Sequence, residues 1–277
     1  PILGSMRKIY EGEDAVPDCF IKSNQSPKLD GIALCLTYNK GKLVKVATRG
    51  DGWKGTDVTE KFIVTNQRII LEVENQSKFQ VTGELVCPSK HPNARNIVAG
   101  AITHLKNPLE YAERSKEFEF QFVAYDSSLD LASYSKDTIP TLRSMGFLTV
   151  FDDVSNYPTD GLVYRLDNNQ EVEELGFTGN YKNGLLALKV RKEGVETTVE
   201  SISWQLSPKG VVTPVANLVP IDIDGAIVSK VTLNNADFLS LLISNKGFGI
   251  GSTVSVIRAG EIIPKIVNIL GAATSEI

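Results

Sequence analysis

A lysine can act as a nucleophile once its amine is free of its proton, which takes burial or neighbouring cations. Lys28-Leu29-Asp30-Gly31 sets such a lysine just ahead of the apolar run Ile32 to Leu36. Four later groups could serve it. Arg49-Gly50-Asp51-Gly52 offers a cation beside glycines that let the backbone turn sharply and approach a ligand. Gly83-Glu84 interrupts the apolar stretch Val81 to Val86. A glycine inside a strand often marks a close approach, and a glutamate there needs a ribose hydroxyl, a metal or a salt bridge. Thr159-Asp160-Gly161-Leu162-Val163-Tyr164-Arg165 places a carboxylate before a buried-looking strand and an arginine along it. Leu186-Ala187-Leu188-Lys189-Val190 holds a lysine in an apolar strand, where lysine is rare without an anionic partner. Taken singly, each also reads as an ordinary surface feature, such as a lysine before a turn or one whose amine reaches the sheet edge.

The elements that must position these groups are mostly strands. Ile32 to Tyr38 and Lys42 to Thr48 are β-rich and joined by Asn39-Lys40-Gly41, a hairpin turn. Further strands are expected at Phe79 to Val86, Phe118 to Tyr125, Leu162 to Leu166 and Leu185 to Val190. Helices are expected near Asn93 to Leu105, Lys136 to Met145 and Asn169 to Leu175. The order is no regular βαβ alternation and predicts an α+β domain of antiparallel sheets. Beyond Glu193 the texture changes. Val195 to Leu206, Val211 to Leu218, Ala226 to Leu233 and Thr253 to Arg258 read as strands, with one helix at Asn235 to Ile243 opened by Asn234 and Asn235. That pattern matches an OB-type barrel. The expected domains are 1–193 and 194–277, joined at a hinge in Lys192-Glu193-Gly194.

Composition sets outer bounds. At 277 residues the chain is long enough for two domains, and its 42% apolar content is globular. No apolar run approaches a membrane span, and the start does not read as a signal peptide. Three scattered cysteines and two histidines suggest neither a disulfide framework nor a zinc site and point to a reducing cytoplasm. A net charge of −4 leaves nucleic-acid binding to a local basic surface.

In order and spacing, the five groups resemble motifs I, Ia, III, IV and V of the covalent nucleotidyltransferases, which include DNA ligases, RNA ligases and mRNA capping enzymes. Longer stretches narrow the resemblance to NAD+-dependent DNA ligases. His91-Pro92-Asn93-Ala94-Arg95-Asn96-Ile97-Val98-Ala99-Gly100 is similar to their N-P-R-N-x-x-A-G helix, and Pro1 to Met6 to their P-M-L-S-L segment. Trp204-Gln205-Leu206 with Gly210 to Ala216, Asp224-Gly225-Ala226 with Val228 to Leu233, and Arg258-Ala259-Gly260-Glu261-Ile262-Ile263-Pro264 resemble their OB segments. The ATP- or GTP-using ligases and capping enzymes are the alternative that the five motifs alone permit.

The resemblance implies sealing of nicks in duplex DNA through a lysine-bound AMP taken from NAD+. Lys28 is then the nucleophile, with Asp30 shaping its loop. Arg165 and Lys189 are the cations against the AMP phosphate, and Glu84 meets the ribose. Asp160 contacts the nucleophile or, with Glu84, a Mg2+ ion. Arg49 and Arg95 bind the nucleotide or the 5′-phosphate at the nick; Lys230, Arg258 and Lys265 contact the DNA backbone. Departures are Ser26 where the family has a glutamate near the adenine, Thr103 in place of a basic residue, and Pro208-Lys209 where an arginine is usual. These suggest a divergent member of viral or phage origin, at work in the cytoplasm of a bacterial cell or a phage-infected bacterium. The expected partner beyond nicked DNA is a further segment or second subunit. It would carry the NMN-recognition, zinc or helix-hairpin-helix modules.

Overall fold

Lys40 and Gly41 both take left-handed backbone angles, with φ of 51° and 77°. This is the turn geometry whose twist matches a two-residue hairpin. In the computed structural model, residues 4–11, 14–50, 54–63, 70–75, 77–190, 194–206, 210–223, 225–259 and 263–274 are described. They fall into two compact units, Pro1–Val190 and Arg191–Ile277.

The elements of the first unit are, in chain order, β1 (Ser5–Tyr10), β2 (Asn24–Leu29), β3 (Ile32–Asn39), β4 (Lys42–Thr48), α1 (Thr59–Ile63), β5 (Phe79–Val86), α2 (Ala94–Thr103), α3 (Pro108–Glu117), β6 (Gln121–Ser127), α4 (Ile139–Ser144), β7 (Thr159–Arg165), α5 (Asn169–Leu175), β8 (Phe177–Thr178) and β9 (Tyr181–Lys189). One sheet runs β4-β3-β5-β6, all antiparallel. The other runs β1-β9-β7-β2 with β8 beside β9, and only the β1–β9 pair is parallel. The largest core joins the first sheet to the helices through Leu34, Leu36, Tyr38, Val81, Val98 and Phe122. Leu29, Val86 and Val123, from strands of both sheets, form a smaller apolar cluster with Val150 and Val154 of the connection between α4 and β7.

The second unit comprises β10 (Val195–Leu206), β11 (Val212–Ile223), β12 (Ala226–Thr232), α6 (Ala236–Lys246), β13 (Thr253–Ala259) and β14 (Ile263–Ile269). Its order is β12-β11-β10-β13-β14, and β12 also approaches β14, so the sheet curls towards a barrel. Asn235 opens α6 by accepting a bond from the Phe238 amide. The α+β architecture and the second β-rich unit follow the expectation.

The differences have local causes. α3 was not expected, although Asn107 caps it and Pro108 occupies its first position; its charged sequence lacks an apolar stripe. The Lys136 to Met145 helix divides into a π-helical turn at Tyr134–Thr138 and α4, because Pro140 has no N–H to continue an α-ladder. β1, β2, α1, β8 and β14 also went unread. The expected hinge residues Lys192 and Glu193 lie outside the described residues, as do Pro1 to Leu3, Asp51, Gly52, Pro208, Lys209, Asp224 and Gly260 to Ile262.

Two glycines give opposed stability tests. A Cβ on Gly83 would lie 2.4 Å from the Phe122 ring and 2.4 Å from the Val123 carbonyl oxygen, whereas one on Gly100, in α2, would meet nothing within 4 Å. Urea unfolding should show Gly83→Ala destabilised by about 1–3 kcal/mol and Gly100→Ala stabilised by about 0.4–1 kcal/mol.

Candidate active site

Strands β2 and β9 both run antiparallel to the strand between them, β7. The ends of β2 and β9 therefore meet the beginning of β7. Lys28 is next to last in β2, Asp160 is second in β7, and Lys189 is last in β9. Three residues remote in sequence thus converge at one end of one sheet. Lys28 Nζ lies 2.8 Å from Asp160 Oδ1, and Lys189 Nζ lies 2.6 Å from Oδ2. Burial works against the charge on Asp160, but hydrogen bonds from Lys189 and Lys28 outweigh it and hold the carboxyl below its ordinary range. Gly161 lies opposite Lys189 at φ 139°, where a Cβ would come within 2.0 Å of the Leu188 carbonyl oxygen.

The chain leaving Lys28 then passes to the other sheet. Asp30 and Gly31 form the link, and Gly31 lies so close to β5 that a Cβ would sit 2.2 Å from the Leu85 carbonyl oxygen. The Gly31 amide donates to the Glu84 carboxylate. Burial pushes Glu84 up to about 7, although the Lys28 and Arg49 charges and that amide pull the other way. Arg95, in the first turn of α2, holds the same link from outside. Its Nε lies 3.2 Å from Asp30 Oδ1 and donates to the Gly31 carbonyl at 3.4 Å. Arg49 follows β4, its amide bonded to the Ala33 carbonyl oxygen at 3.1 Å. Lys28, Asp30, Arg49, Glu84, Arg95, Asp160 and Lys189 thus surround one loop and the strand ends beside it.

Arg165 stands away from this group, contrary to the expectation that it joins Lys189 at the phosphate. Five residues of extended chain carry it roughly 16 Å from Asp160. There its side chain is buried, with Nη2 3.1 Å from Asp126, Nη1 2.8 Å from Asn169, and the guanidinium 4.0 Å over the Tyr134 ring. In the second unit, Lys230 and Lys265 are exposed on β12 and β14, and Arg258 donates to the Ile223 carbonyl oxygen at 3.3 Å.

Sequence reading missed two residues. Tyr125, on β6, sits among the charges of Glu84 and Arg49 and has its hydroxyl pushed well above the ordinary range by burial. Lys8, on β1, is pushed below the ordinary lysine value by burial and by Lys189 and Lys28. Neither belongs to a motif; only strand pairing brings them in. Among the described residues no group of three His, Cys, Asp or Glu side chains gathers as a metal site. No helix there is long and apolar enough to cross a membrane.

Comparison with known proteins gives the family of the chain. A family model described as the NAD-dependent DNA ligase adenylation domain matches residues 11–156, and one described as the NAD-dependent DNA ligase OB-fold domain matches residues 196–276. A protein named DNA ligase from Oceanobacillus iheyensis is 32% identical, the alignment covering 87% of this chain and 40% of that protein. One from Brachyspira hyodysenteriae is also 32% identical, over 90% of this chain and 42% of its own. One from Flavobacterium johnsoniae is 31% identical, over 87% and 41%. The chain spans about two-fifths of the length of these curated relatives. The adenylation match alone takes in more than half of the chain and the OB-fold match follows it: the chain belongs to the NAD-dependent DNA ligase family.

Proposed function

We propose that this chain is the AMP-carrying core of an enzyme that seals nicks in duplex DNA, with NAD+ as AMP donor and Lys28 as the residue that bears the AMP. The observation that carries the reading is the single carboxylate of Asp160 held between Lys28 and Lys189. It aims two amines at one place, one to attack a phosphate and one to neutralise it. As a free amine, Lys28 Nζ attacks the α-phosphorus, and the bond to the NMN phosphate oxygen breaks with its electron pair. Lys189 and Arg49 face the charge that develops on the phosphoryl oxygens. Glu84 accepts from the ribose, and Tyr125 lies beside it. The AMP then passes to the 5′-phosphate of the nick, and the 3′-hydroxyl displaces it.

We assign the chemistry to residues 1–193 and DNA-backbone contact to 194–277, through Lys230, Arg258 and Lys265. Such contacts give affinity that falls with salt and carry no sequence preference. Arg95 is placed to meet the 5′-phosphate while it steadies Asp30. In this reading the chain works in a bacterial cytoplasm, native or phage-infected, with a further segment or second chain for NMN recognition. Magnesium would neutralise phosphate charge. Glu84 and Asp160 do not make a cage for it, since both Asp160 oxygens already face ammonium groups. An ion carried by the phosphates fits them better.

Intact-mass measurement after incubation with NAD+ and Mg2+ should show one added AMP on the wild-type chain and none on Lys28→Ala. No AMP, alone or with an NMN-binding ligase domain supplied, would sink the reading. Lys189→Ala should slow AMP loading and sealing alike by roughly 100-fold or more, as loss of a charge-stabilising donor does. Glu84 gives a pH test. The unfolded chain releases this proton near 4.5 and the folded one near 7. Stability from the neutral carboxyl is full below the first value and lost as pH rises through the second. Relative to Glu84→Gln, wild-type unfolding free energy should therefore fall between those values by up to about 3 kcal/mol. A difference that does not change with pH would refute the buried acid.

A further inference from the structure

Lys8 pairs with Ala187 across β1 and β9, while its neighbour Ile9 pairs with Leu188. Ile9 is buried in the apolar cluster with Leu186, against which Leu188 packs. Side chains alternate along a strand, so Lys8 projects from the opposite face, the one shared by Ala187 and Lys189. Pairing continues across that face from Ala187 to Val163 on β7 and from Val163 to Ser26 on β2. The residues between Lys8 and Ser26, Ala187 and Val163, are small, so no long side chain of the sheet separates Lys8 from the β2 side of this face. One step along the strands lies the Lys28–Asp160–Lys189 group.

Charge makes Lys8 unlike other surface lysines. Lys189, Lys28 and Arg49 act on it as cations against the anion Asp160, and together with burial the cations prevail and lower its proton affinity. Both oxygens of Asp160 are already committed to the other two lysines. Asp30 is paired with Arg95, and the Glu84 carboxyl lies within the fields of Lys28 and Arg49; Lys8 stands on an exposed edge strand without an ion pair among the described residues. An assembly of this kind is completed by a polyanion.

Strand order gives the direction. Lys28 is on β2, Asp160 on β7, Lys189 on β9 and Lys8 on β1, in that sequence across the sheet. With strands about 4.8 Å apart, Lys8 springs from a point about 14 Å from the Lys28 strand and one strand beyond Lys189. In phosphoryl transfer the attacking and leaving atoms stand in line on opposite sides of phosphorus. For an attack by Lys28 that runs across the sheet past Lys189, the leaving oxygen stands on the side of β1.

We propose that Lys8 holds the leaving phosphate of the dinucleotide, the one that departs as NMN, during AMP loading. This rests on the ligase reading above. In the step, the Lys28 nitrogen lone pair forms the N–P bond. The bond from the α-phosphorus to the bridging oxygen breaks, and its electron pair stays on the NMN phosphate. The proton of the attacking amine goes to solvent. Lys8 stabilises the charge gathering on the departing phosphate and has no such group to meet once NMN has left.

The test compares wild-type, Lys8→Ala and Lys8→Arg proteins in two assays, under conditions that load the wild-type chain. One is the rate of AMP transfer from NAD+ to Lys28, read by intact mass. The other is sealing of a nicked duplex already carrying AMP on its 5′-phosphate. Lys8→Ala should load about 10- to 100-fold more slowly, as expected for one lost electrostatic donor, while sealing stays within about threefold; Lys8→Arg should recover most of the loading rate. Loading of Lys8→Ala at the wild-type rate overturns the proposal. So does an equal loss in both assays, which would mean that Lys8 serves the retained AMP phosphate or the fold. Failure of the wild-type chain to accept AMP under every condition instead defeats the ligase reading itself.

Discussion

Everything in the first unit that bears on chemistry depends on one carboxylate that faces two amines. Asp160 alone is an ordinary acid at the start of a strand. Between Lys28 and Lys189 it stays charged despite burial, because two hydrogen-bonded ammonium groups outweigh the cost of leaving water. The same contact fixes both lysines at the rim of one sheet, each side chain about one-fifth to one-quarter exposed. They are thus reachable by a ligand yet ordered without one, which is what an electrostatic site needs.

That arrangement requires the two sheets to be held with little freedom where the chain crosses between them. Glycine permits the approach: Gly31 lies against the backbone of β5, and Gly83 against β6 and the ring of Phe122. Apolar packing of Leu29 with Val86 and Val123 secures the crossing. Arg95 then ties the link to α2 through Asp30 and the Gly31 carbonyl. The half-buried glutamate beside this crossing is costly for the same reason that it is useful. A carboxyl with few water contacts is a strong acceptor once ionised.

Arg165 illustrates how a motif residue can be diverted. Its guanidinium joins β7 to Asp126 on β6 and to Asn169 in α5, and it covers the Tyr134 ring. A buried arginine needs such partners, since an unpaired charge would cost several kcal/mol (about 3–5). Having them, it ties the far end of β7 to the opposite sheet and leaves the Asp160 end to Lys28 and Lys189.

The sequence by itself determined the element types with strong patterns. The apolar runs of β3 and β5, the hairpin at Lys40-Gly41, the cap at Asn235 and the second β-rich unit were legible, because each is set by nearest neighbours and periodicity. Lys28, Glu84, Asp160 and Lys189 were legible as a set through their order along the chain. Polar elements such as β1 and α3 were not, because neither carries a continuous apolar period, and in α3 the Asn107 cap and Pro108 are the only local signals. Which residues meet was also beyond the sequence. Whether Arg165 or Lys8 faces Lys189 depends on which strand β9 pairs with on each side and on a two-residue period that assigns every side chain to a face. Those are long-range choices made by the sheet as a whole. Only the tertiary structure could move an unremarked lysine into the charge cluster and a motif arginine out of it.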